Sequence, residues 1–364
     1  MRTRLGLGRF RSRWGVVGGL LLGLAGVAGG VLVATPTGRY LARAGWEEGR
    51  ILARRRPIAR LVADPAVPAA TRAKLRLVLE ARAFAEDSLG LPAGETFTQF
   101  TQLDGDTLVL VLSGARRDLL EPVTWWFPIV GRVPYKGFFQ REDALRAEAA
   151  LRAAGYDAYL RPAPAFSTLG WFNDPLLSTT LAGDSVEVVT TVIHELTHNR
   201  YYARDGAVFN ESFANFVGAR GAERFFRARG DTAGAVQAVS RWADDRRLAA
   251  VWLRLATTLD SAFAAHPRAG QRERRLALRD SVYAAARRRL VDSVAPTLEA
   301  IDPRYAAVVR LDNAALLARR IYLTDLEAFE RVYAAEGRDL ARSLARLIRD
   351  HREAVSRGAP GRPH

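Results

Sequence analysis

The run His194-Glu195-Leu196-Thr197-His198 places two histidines four residues apart with an acid beside the first. It lies in an apolar segment that is patterned as a helix. Residues four apart on a helix lie one turn from each other on the same face, so both imidazoles can reach one ion. Glu195 is rotated by about 100° from His194, so it stays off that face and can take a proton from a water on the metal. The spacing therefore predicts a metal site with Glu195 as general base.

A zinc site of this kind needs a third protein ligand and leaves one position for water. The remaining histidines are poor candidates, because His266 precedes Pro267 and both His351 and His364 lie in an Arg-rich C-terminal region. Glu211 is the favoured ligand. An Asp-Gly pair is a natural helix stop, so the first helix should end near Ala203 or Arg204 and a second, starting around Phe209, should fold back. Asp205, in the turn itself, is the alternative ligand.

These residues belong to a longer pattern. The stretches Val192 to Arg200 and Asn210 to Gly218 resemble the bacterial aminopeptidase family of zincin type, in which an Asn-Glu-Ser-Phe-Ala block follows HExxH closely. Three other stretches also resemble it: Gly49 to Ile58, Pro134 to Phe139 and Ala165 to Pro175. The likeness spans roughly residues 40 to 340.

The resemblance implies one zinc ion on His194, His198 and Glu211, with Glu195 as the base. It also implies a peptide substrate and aminopeptidase action, which the residues alone do not show. This chain departs from the family in one respect. Members often begin as lipoproteins with a lipid-bearing cysteine, and this chain contains no cysteine.

The N-terminal segment predicts a membrane anchor. Residues 1–14 contain five arginines and no acid, and residues 15–34 are twenty uncharged apolar or glycine residues. That length is just enough to cross a bilayer as a helix, and the arginines favour the cytoplasm for the short N-terminal side. A cleaved signal peptide is the alternative, since Ala34 is small. We expect an uncleaved signal anchor in the cytoplasmic (inner) membrane, with the body facing the periplasm or exterior.

Composition excludes some classes of protein. Without cysteine there are no disulfides or thiolate ligands. The formal net charge is +15, and 52 of the 54 basic residues are arginine, the exceptions being Lys74 and Lys136. No stripe combines clustered basic residues with aromatic residues for stacking on bases, so we expect no nucleic-acid partner.

The pattern along the chain predicts an α+β, zincin-like fold. Helical patterns cover 37–56, 70–89 and 141–154, strand-like runs lie between Thr96 and Leu160, and nearly everything from Asp184 onward is helical. We expect a small mixed sheet, an active-site helix pair and a C-terminal helical lobe. The predicted divisions are a cytoplasmic segment (1–14), an anchor (15–34), a metallopeptidase region (35–230), the lobe (231–353) and a disordered tail (354–364).

Some side chains near the motif could touch substrate. Tyr201 and Tyr202 follow His198 by three and four positions, and either could hydrogen-bond a tetrahedral oxyanion, although packing is the alternative for each. An exopeptidase also needs an acid or backbone acceptors for the free α-amine, for which Asp174, Glu187 and Asp205 are candidates. The sequence thus predicts a membrane-anchored zinc peptidase. The main alternative is a catalytically silent envelope scaffold that keeps the metal.

Overall fold

The structure, a computed structural model, describes Gly30 and residues 34–105, 109–127, 131–163, 175–204 and 206–357. The predicted anchor at 15–34 therefore lies outside the described residues except for Gly30 and Ala34. Among the helices that the structure does describe, none combines the length and apolar character needed to span a membrane. The chain divides into two compact units, residues 1–54 and residues 55–364.

The α-helices of the described residues are α1 (Pro36–Ala53), α2 (Ile58–Ala63), α3 (Ala69–Leu89), α4 (Arg141–Ala153), α5 (Ser185–Arg200), α6 (Ala207–Ala228), α7 (Thr232–Ala264), α8 (Arg272–Arg289), α9 (Tyr305–Val308), α10 (Asn313–Arg320), α11 (Leu326–Ala335) and α12 (Leu340–Ser356). The strands are β1 (Arg56–Pro57), β2 (Gln99–Thr101), β3 (Val109–Arg116), β4 (Trp125–Phe127), β5 (Gly131–Val133), β6 (Tyr135–Phe138), β7 (Tyr156–Ala163) and β8 (Leu176–Leu177). The fold is thus mixed α+β and dominated by helices, as predicted.

Helix α1 belongs to the smaller unit. The Thr35 side chain caps this helix by accepting a 3.0 Å hydrogen bond from the amide of Gly38. Glu47 pairs with Arg43 at 2.6 Å and with Arg50 at 2.9 Å, one helical turn to either side. Such exposed pairs add only tenths of a kcal/mol, roughly, to helix stability.

The strands form three small sheets rather than the single mixed sheet that the sequence predicted. β1 pairs antiparallel and β8 parallel with β2, which gives one mixed sheet. β3 lies between β6 and β7 in an antiparallel sheet, and β4 pairs with β5 as a hairpin. The sequence pattern did not predict β1 and β8, which lie outside the stretch from Thr96 to Leu160, because strands of two residues are too short to show alternation.

The central sheet β6-β3-β7 has two differently covered faces. Gly114 of β3 packs against α4, where an added Cβ would lie 2.9 Å from Leu151 Cδ1. The other face carries Tyr135, Ser113 and Tyr159 in one row and Gly137, Val111 and Arg161 in the next, since directly paired residues project to the same side. Arg319 of α10 covers Tyr159 on this face, with Cζ 5.3 Å from the ring centroid.

Buried polar groups fix α10 against this sheet. Asp157 of β7 accepts hydrogen bonds from Arg279 at 2.6 Å and from the amide of Asn313 at 3.0 Å. Tyr283 donates to the side chain of Asn313 at 2.7 Å. Because removing one partner of a buried ion pair costs about 3–5 kcal/mol, this network holds the first turn of α10 in a defined place.

A large apolar core surrounds the HExxH helix α5. It joins side chains of α3, α5 and α6 to Leu326, Phe329, Leu344 and Leu347 of the C-terminal helices. A second cluster centres on Trp252 and Leu259 in the C-terminal half of α7. Helix α12 continues to Ser356, so the predicted tail begins at least three residues too early, and residues 358–364 lie outside the described part.

Candidate metal centre

Helix α5 presents the HExxH run from within the core. Its N-cap is Asp184, whose side chain accepts a 3.0 Å hydrogen bond from the amide of Glu187, which confirms the predicted helix start. Val188, Val192 and Ile193 are fully buried, so one face of the helix is fixed by apolar packing. The helix ends at Arg200, three to four residues earlier than predicted, because Tyr201 adopts an extended backbone.

Asn210 fixes the connection between α5 and α6. Its side-chain oxygen accepts from the amide of Ala203 at 2.8 Å, and its NH₂ group donates to the carbonyl of Ala203 at 2.8 Å. This paired hydrogen bond joins the connection to the first turn of α6 and so positions Glu211. Phe213, Phe216 and Val217 of α6 are all fully buried.

The two helices approach closely at glycines of α6. A Cβ on Gly218 would lie 2.8 Å from the carbonyl oxygen of Thr190 and 3.3 Å from Cβ of His194. A Cβ on Gly221 would meet the Ile193 side chain at 2.8 Å. The close crossing brings the Glu211 side of α6 against the histidine face of α5.

The structure brings His194, His198 and Glu211 together. Nε2 of His194 lies 3.3 Å from Oε2 of Glu211, and Nε2 of His198 lies 3.8 Å from Oε1. One ligand atom from each residue falls within 4.8 Å of the others. Two imidazole nitrogens and one carboxylate at this separation could hold a metal ion. Asp205, the alternative third ligand, lies outside the described residues.

The charge states of His198 and Glu211 fit a cation, and His194 would have to be deprotonated to bind one. Burial and the charge of His194 lower the pKa of His198 to about 4, so this imidazole is neutral at pH 7 and can offer a lone pair. Burial alone would raise the pKa of Glu211, but the hydrogen bond and charge of His194 reverse this and lower it, keeping the carboxylate ionised. For His194, burial lowers the pKa, and Glu211 with the nearby Glu195 outweighs it, so the net shift is upward.

Glu195 acts both on the triad and on Tyr322, a residue that the sequence did not single out. Its negative charge contributes to raising the pKa of His194 and also that of Tyr322. Burial is the main cause of the raised pKa of Tyr322, followed by the charge of Glu211. Tyr322 is therefore a protonated phenol near both carboxylates at neutral pH.

The loop carrying Tyr322 is fastened to α6. Ser212 donates to the carbonyl of Ile321 at 3.2 Å and accepts from the amide of Thr324 at 3.0 Å. Asn215 donates to the carbonyl of Tyr322 at 2.8 Å and, as a hydrogen-bonding partner, also helps to raise the pKa of His194. Residues of the Asn-Glu-Ser-Phe-Ala-Asn block therefore hold the connection between α5 and α6, supply the carboxylate of the triad and fasten the loop that carries Tyr322.

Two residues of the central sheet complete the site. Burial, followed by the neighbouring Tyr322 and Glu211, raises the pKa of Tyr135 to about 12. Arg161 lies with its Cζ 5.6 Å from the ring centroid of Tyr322. Tyr135 lies in a stretch that resembled the family, but nothing local in the sequence marks Tyr322 or Arg161, because only the fold brings them to α5 and α6.

Of the remaining residues that the sequence proposed for substrate contact, Tyr202 lies beside the triad, whereas Tyr201 and Glu187 lie away from it. Tyr202 packs edge-on against His198 with ring centroids 5.8 Å apart and remains 55% exposed. The Tyr201 hydroxyl lies 3.0 Å from Nδ1 of His351, so Tyr201 packs against α12. Glu187 lies in the first turn of α5, two turns (roughly 10 Å along the axis) before His194. Asp174 lies outside the described residues.

The family model described as "Putative aminopeptidase" matches residues 39–354. The chain therefore belongs to this peptidase family. Neither the curated proteins nor the solved structures include a significant match to it.

Proposed function

We propose that the protein is a zinc-dependent aminopeptidase of the HExxH, zincin type. The observation that carries the proposal is the meeting of His194, His198 and Glu211 within 4.8 Å, next to Glu195. Three protein ligands of N, N and O type with room for a fourth are typical of catalytic rather than structural zinc. The aminopeptidase specificity is taken from the family.

His194, His198 and Glu211 would hold the ion. Zinc, when bound, would polarise the scissile carbonyl and lower the pKa of a water in the site. Glu195 accepts the proton of the attacking water on its carboxylate and returns it to the nitrogen of the leaving amine. The phenols of Tyr322 and Tyr202 are protonated at neutral pH, because the pKa of each is raised. Each can donate a hydrogen bond to oxygen where negative charge develops.

A comparison of variants tests this function and the silent-scaffold alternative together. Zinc content of the purified full-length protein would be measured alongside hydrolysis of a mixed peptide library. Glu195→Gln should retain zinc and lose hydrolysis, whereas His194→Ala should lose both. A wild-type protein that binds zinc but cleaves nothing would support the scaffold, and one that is active without metal would refute the zinc proposal.

We also propose that residues 15–34 anchor the protein in the cytoplasmic membrane with the body outside. This rests on the twenty uncharged residues after five arginines. Protease added to spheroplasts should digest the body and leave a membrane-bound N-terminal stub. Protection of the full-length body, or a soluble form trimmed near Ala34, would contradict the anchor without affecting the site.

A further inference from the structure

Arg161 brings a positive charge to the triad from the central sheet. Its side chain is partly buried on β7 and lies over the ring of Tyr322. Its charge contributes to lowering the pKa of Glu211 and acts on Tyr135 in the same sense. Both neighbours are site residues, so the guanidinium lies near the candidate metal centre.

Three other arginines that are buried or partly buried each satisfy a carboxylate. Arg275 lies 2.6 Å from Asp118, Arg279 lies 2.6 Å from Asp157, and Arg220 lies 2.6 Å from Glu330. Across the part of the chain that the structure describes, no carboxylate oxygen lies within 4.0 Å of Arg161. The guanidinium lies over the ring of Tyr322 and also hydrogen-bonds to the Tyr322 side chain. A guanidinium has five N–H donors, so others remain for a further acceptor.

The cross-strand neighbours of Arg161 in the sheet are a valine and a glycine. In the row that contains Arg161, the residue of β6 is Gly137, which has no side chain, and the residue between them is Val111. Tyr135 lies in the adjacent row on the same face of the sheet and remains 39% exposed. A planar cation beside two phenols suits a carboxylate, because a guanidinium binds a carboxylate through two parallel hydrogen bonds.

We propose that Arg161 binds a carboxylate of the substrate on the leaving-group side of the scissile bond. A substrate's α-ammonium group would be repelled by this cation, so the amine must lie elsewhere in the cleft. In an aminopeptidase, a carboxylate this close to the reacting bond is the C-terminus of a very short peptide or an acidic side chain just after the bond. The substrate class is therefore dipeptides, or peptides with Asp or Glu in the second position. The inference rests on the proposed peptidase function.

Three matched substrates identify the carboxylate. Alanyl-alanine, alanyl-alanine amide and alanyl-aspartate amide would be compared with the full-length zinc-loaded protein. Because a hydrogen bond to a charged group contributes about 1.5–3 kcal/mol, kcat/KM should be about 10- to 100-fold higher for the free acid than for its amide. If alanyl-aspartate amide is cleaved faster than alanyl-alanine amide, an acidic side chain after the scissile bond can also supply the carboxylate that Arg161 binds. Equal cleavage of all three would overturn the inference.

Variants of Arg161 assign the preference to this residue. Arg161→Gln should cleave the acid and the amide equally, mainly through a higher KM for the acid, and Arg161→Lys should retain part of the preference. Arg146→Gln is the matched control, because Arg146 is an exposed arginine of α4, on the far side of the sheet, and should keep the full preference. Unchanged zinc content and melting temperature establish that Arg161→Gln is folded. A preference that survives in Arg161→Gln would overturn the inference.

A binding measurement separates this inference from the peptidase proposal. Calorimetry with Glu195→Gln should show tighter binding of alanyl-alanine than of its amide, and adding Arg161→Gln should remove the difference. If no peptide is cleaved but this difference is present, the peptidase proposal fails and the carboxylate site stands. If the two ligands bind equally, or neither binds, the carboxylate site is wrong.

Discussion

The side chain of Asn215 joins the metal-binding helix pair to the loop that carries Tyr322. Its amide donates a 2.8 Å hydrogen bond to the Tyr322 carbonyl, and the same side chain acts on His194 as a hydrogen-bonding partner. Asn215 is one helical turn after Glu211 on α6 and therefore lies on the same face. One residue thus positions both a candidate ligand and a candidate phenol donor.

Asn215→Ala should weaken zinc binding and lower activity together. Loss of an outer hydrogen-bond partner of a ligating histidine typically costs about 10- to 100-fold in metal affinity or activity. Zinc affinity would be measured by competition with a chromophoric chelator, and activity would be measured at saturating zinc. Unchanged affinity would show that Asn215 does not orient His194.

Ser212→Ala is the matched variant for this prediction. Ser212 holds the same loop through Ile321 and Thr324, and no hydrogen bond joins it to the histidines among the described residues. We therefore expect lower activity with normal zinc affinity. Equal loss of zinc in both variants would mean that the loop itself, rather than Asn215, supports the site.

Glu211→Ala should remove the metal, whereas Asp205→Ala should retain about one zinc per chain. Glu211 lies 3.3 Å from His194 and 3.8 Å from His198, measured between carboxylate oxygens and Nε2. A bound ligand stabilises the folded state, so chelation should lower the melting temperature of the wild type and of Asp205→Ala only. Loss of zinc from Asp205→Ala with retention in Glu211→Ala would reverse the ligand assignment.

The motif and its third ligand could be predicted because their spacing is local. His194, Glu195 and His198 share one helix, and Glu211 follows after a single turn, so helical periodicity and the Asp-Gly turn signal placed them on facing helices. Arg161, Tyr135 and Tyr322 could not be predicted in this way. They come from two strands and a loop, and their approach depends on sheet register and on Ser212 and Asn215, which a local pattern does not encode. The early end of α5 has a similar cause, since Asn210 hydrogen-bonds to Ala203 from the next helix.

Gly218→Ala should destabilise the protein and weaken zinc binding. The new Cβ would lie 2.8 Å from the Thr190 carbonyl oxygen, which belongs to the backbone of α5 and cannot rotate away. Overpacking of this kind costs about 1–3 kcal/mol, and the required shift of α6 would move Glu211 from His194. The free energy of unfolding from urea titration and the zinc affinity would both be measured.

Gly221→Ala serves as the control for that variant. Its Cβ would meet side-chain atoms of Ile193 and Leu89 one turn further from the triad, and side chains can adjust. We expect a smaller loss of stability and little change in zinc affinity. If Gly221→Ala weakened zinc as much as Gly218→Ala, the close approach at Gly218 would have no special role in the site.

Adjacent aspartates on α7 should affect stability with opposite dependence on pH. Burial and the charge of Asp244 raise the pKa of Asp245 to about 7. The folded state therefore holds a proton that the unfolded state releases above about pH 4, and stability should fall as pH rises from about 4 to 7. Asp245→Asn should remove this slope and be more stable than the wild type at pH 8, on the order of 1–3 kcal/mol.

Asp244→Asn should have the opposite effect on stability. Burial alone would raise the pKa of Asp244, but the amides of Ala300, Ile301 and Glu299 donate to its carboxylate and lower the pKa. A depressed pKa contributes stability that is present above the unfolded value and is lost as pH falls through the folded value. Asp244→Asn should therefore destabilise the protein at pH 7, by about 1–3 kcal/mol, and less below pH 3. Urea titrations of both variants from pH 3 to 8 would test the pair, and a shared sign at pH 8 would contradict the assigned charge states.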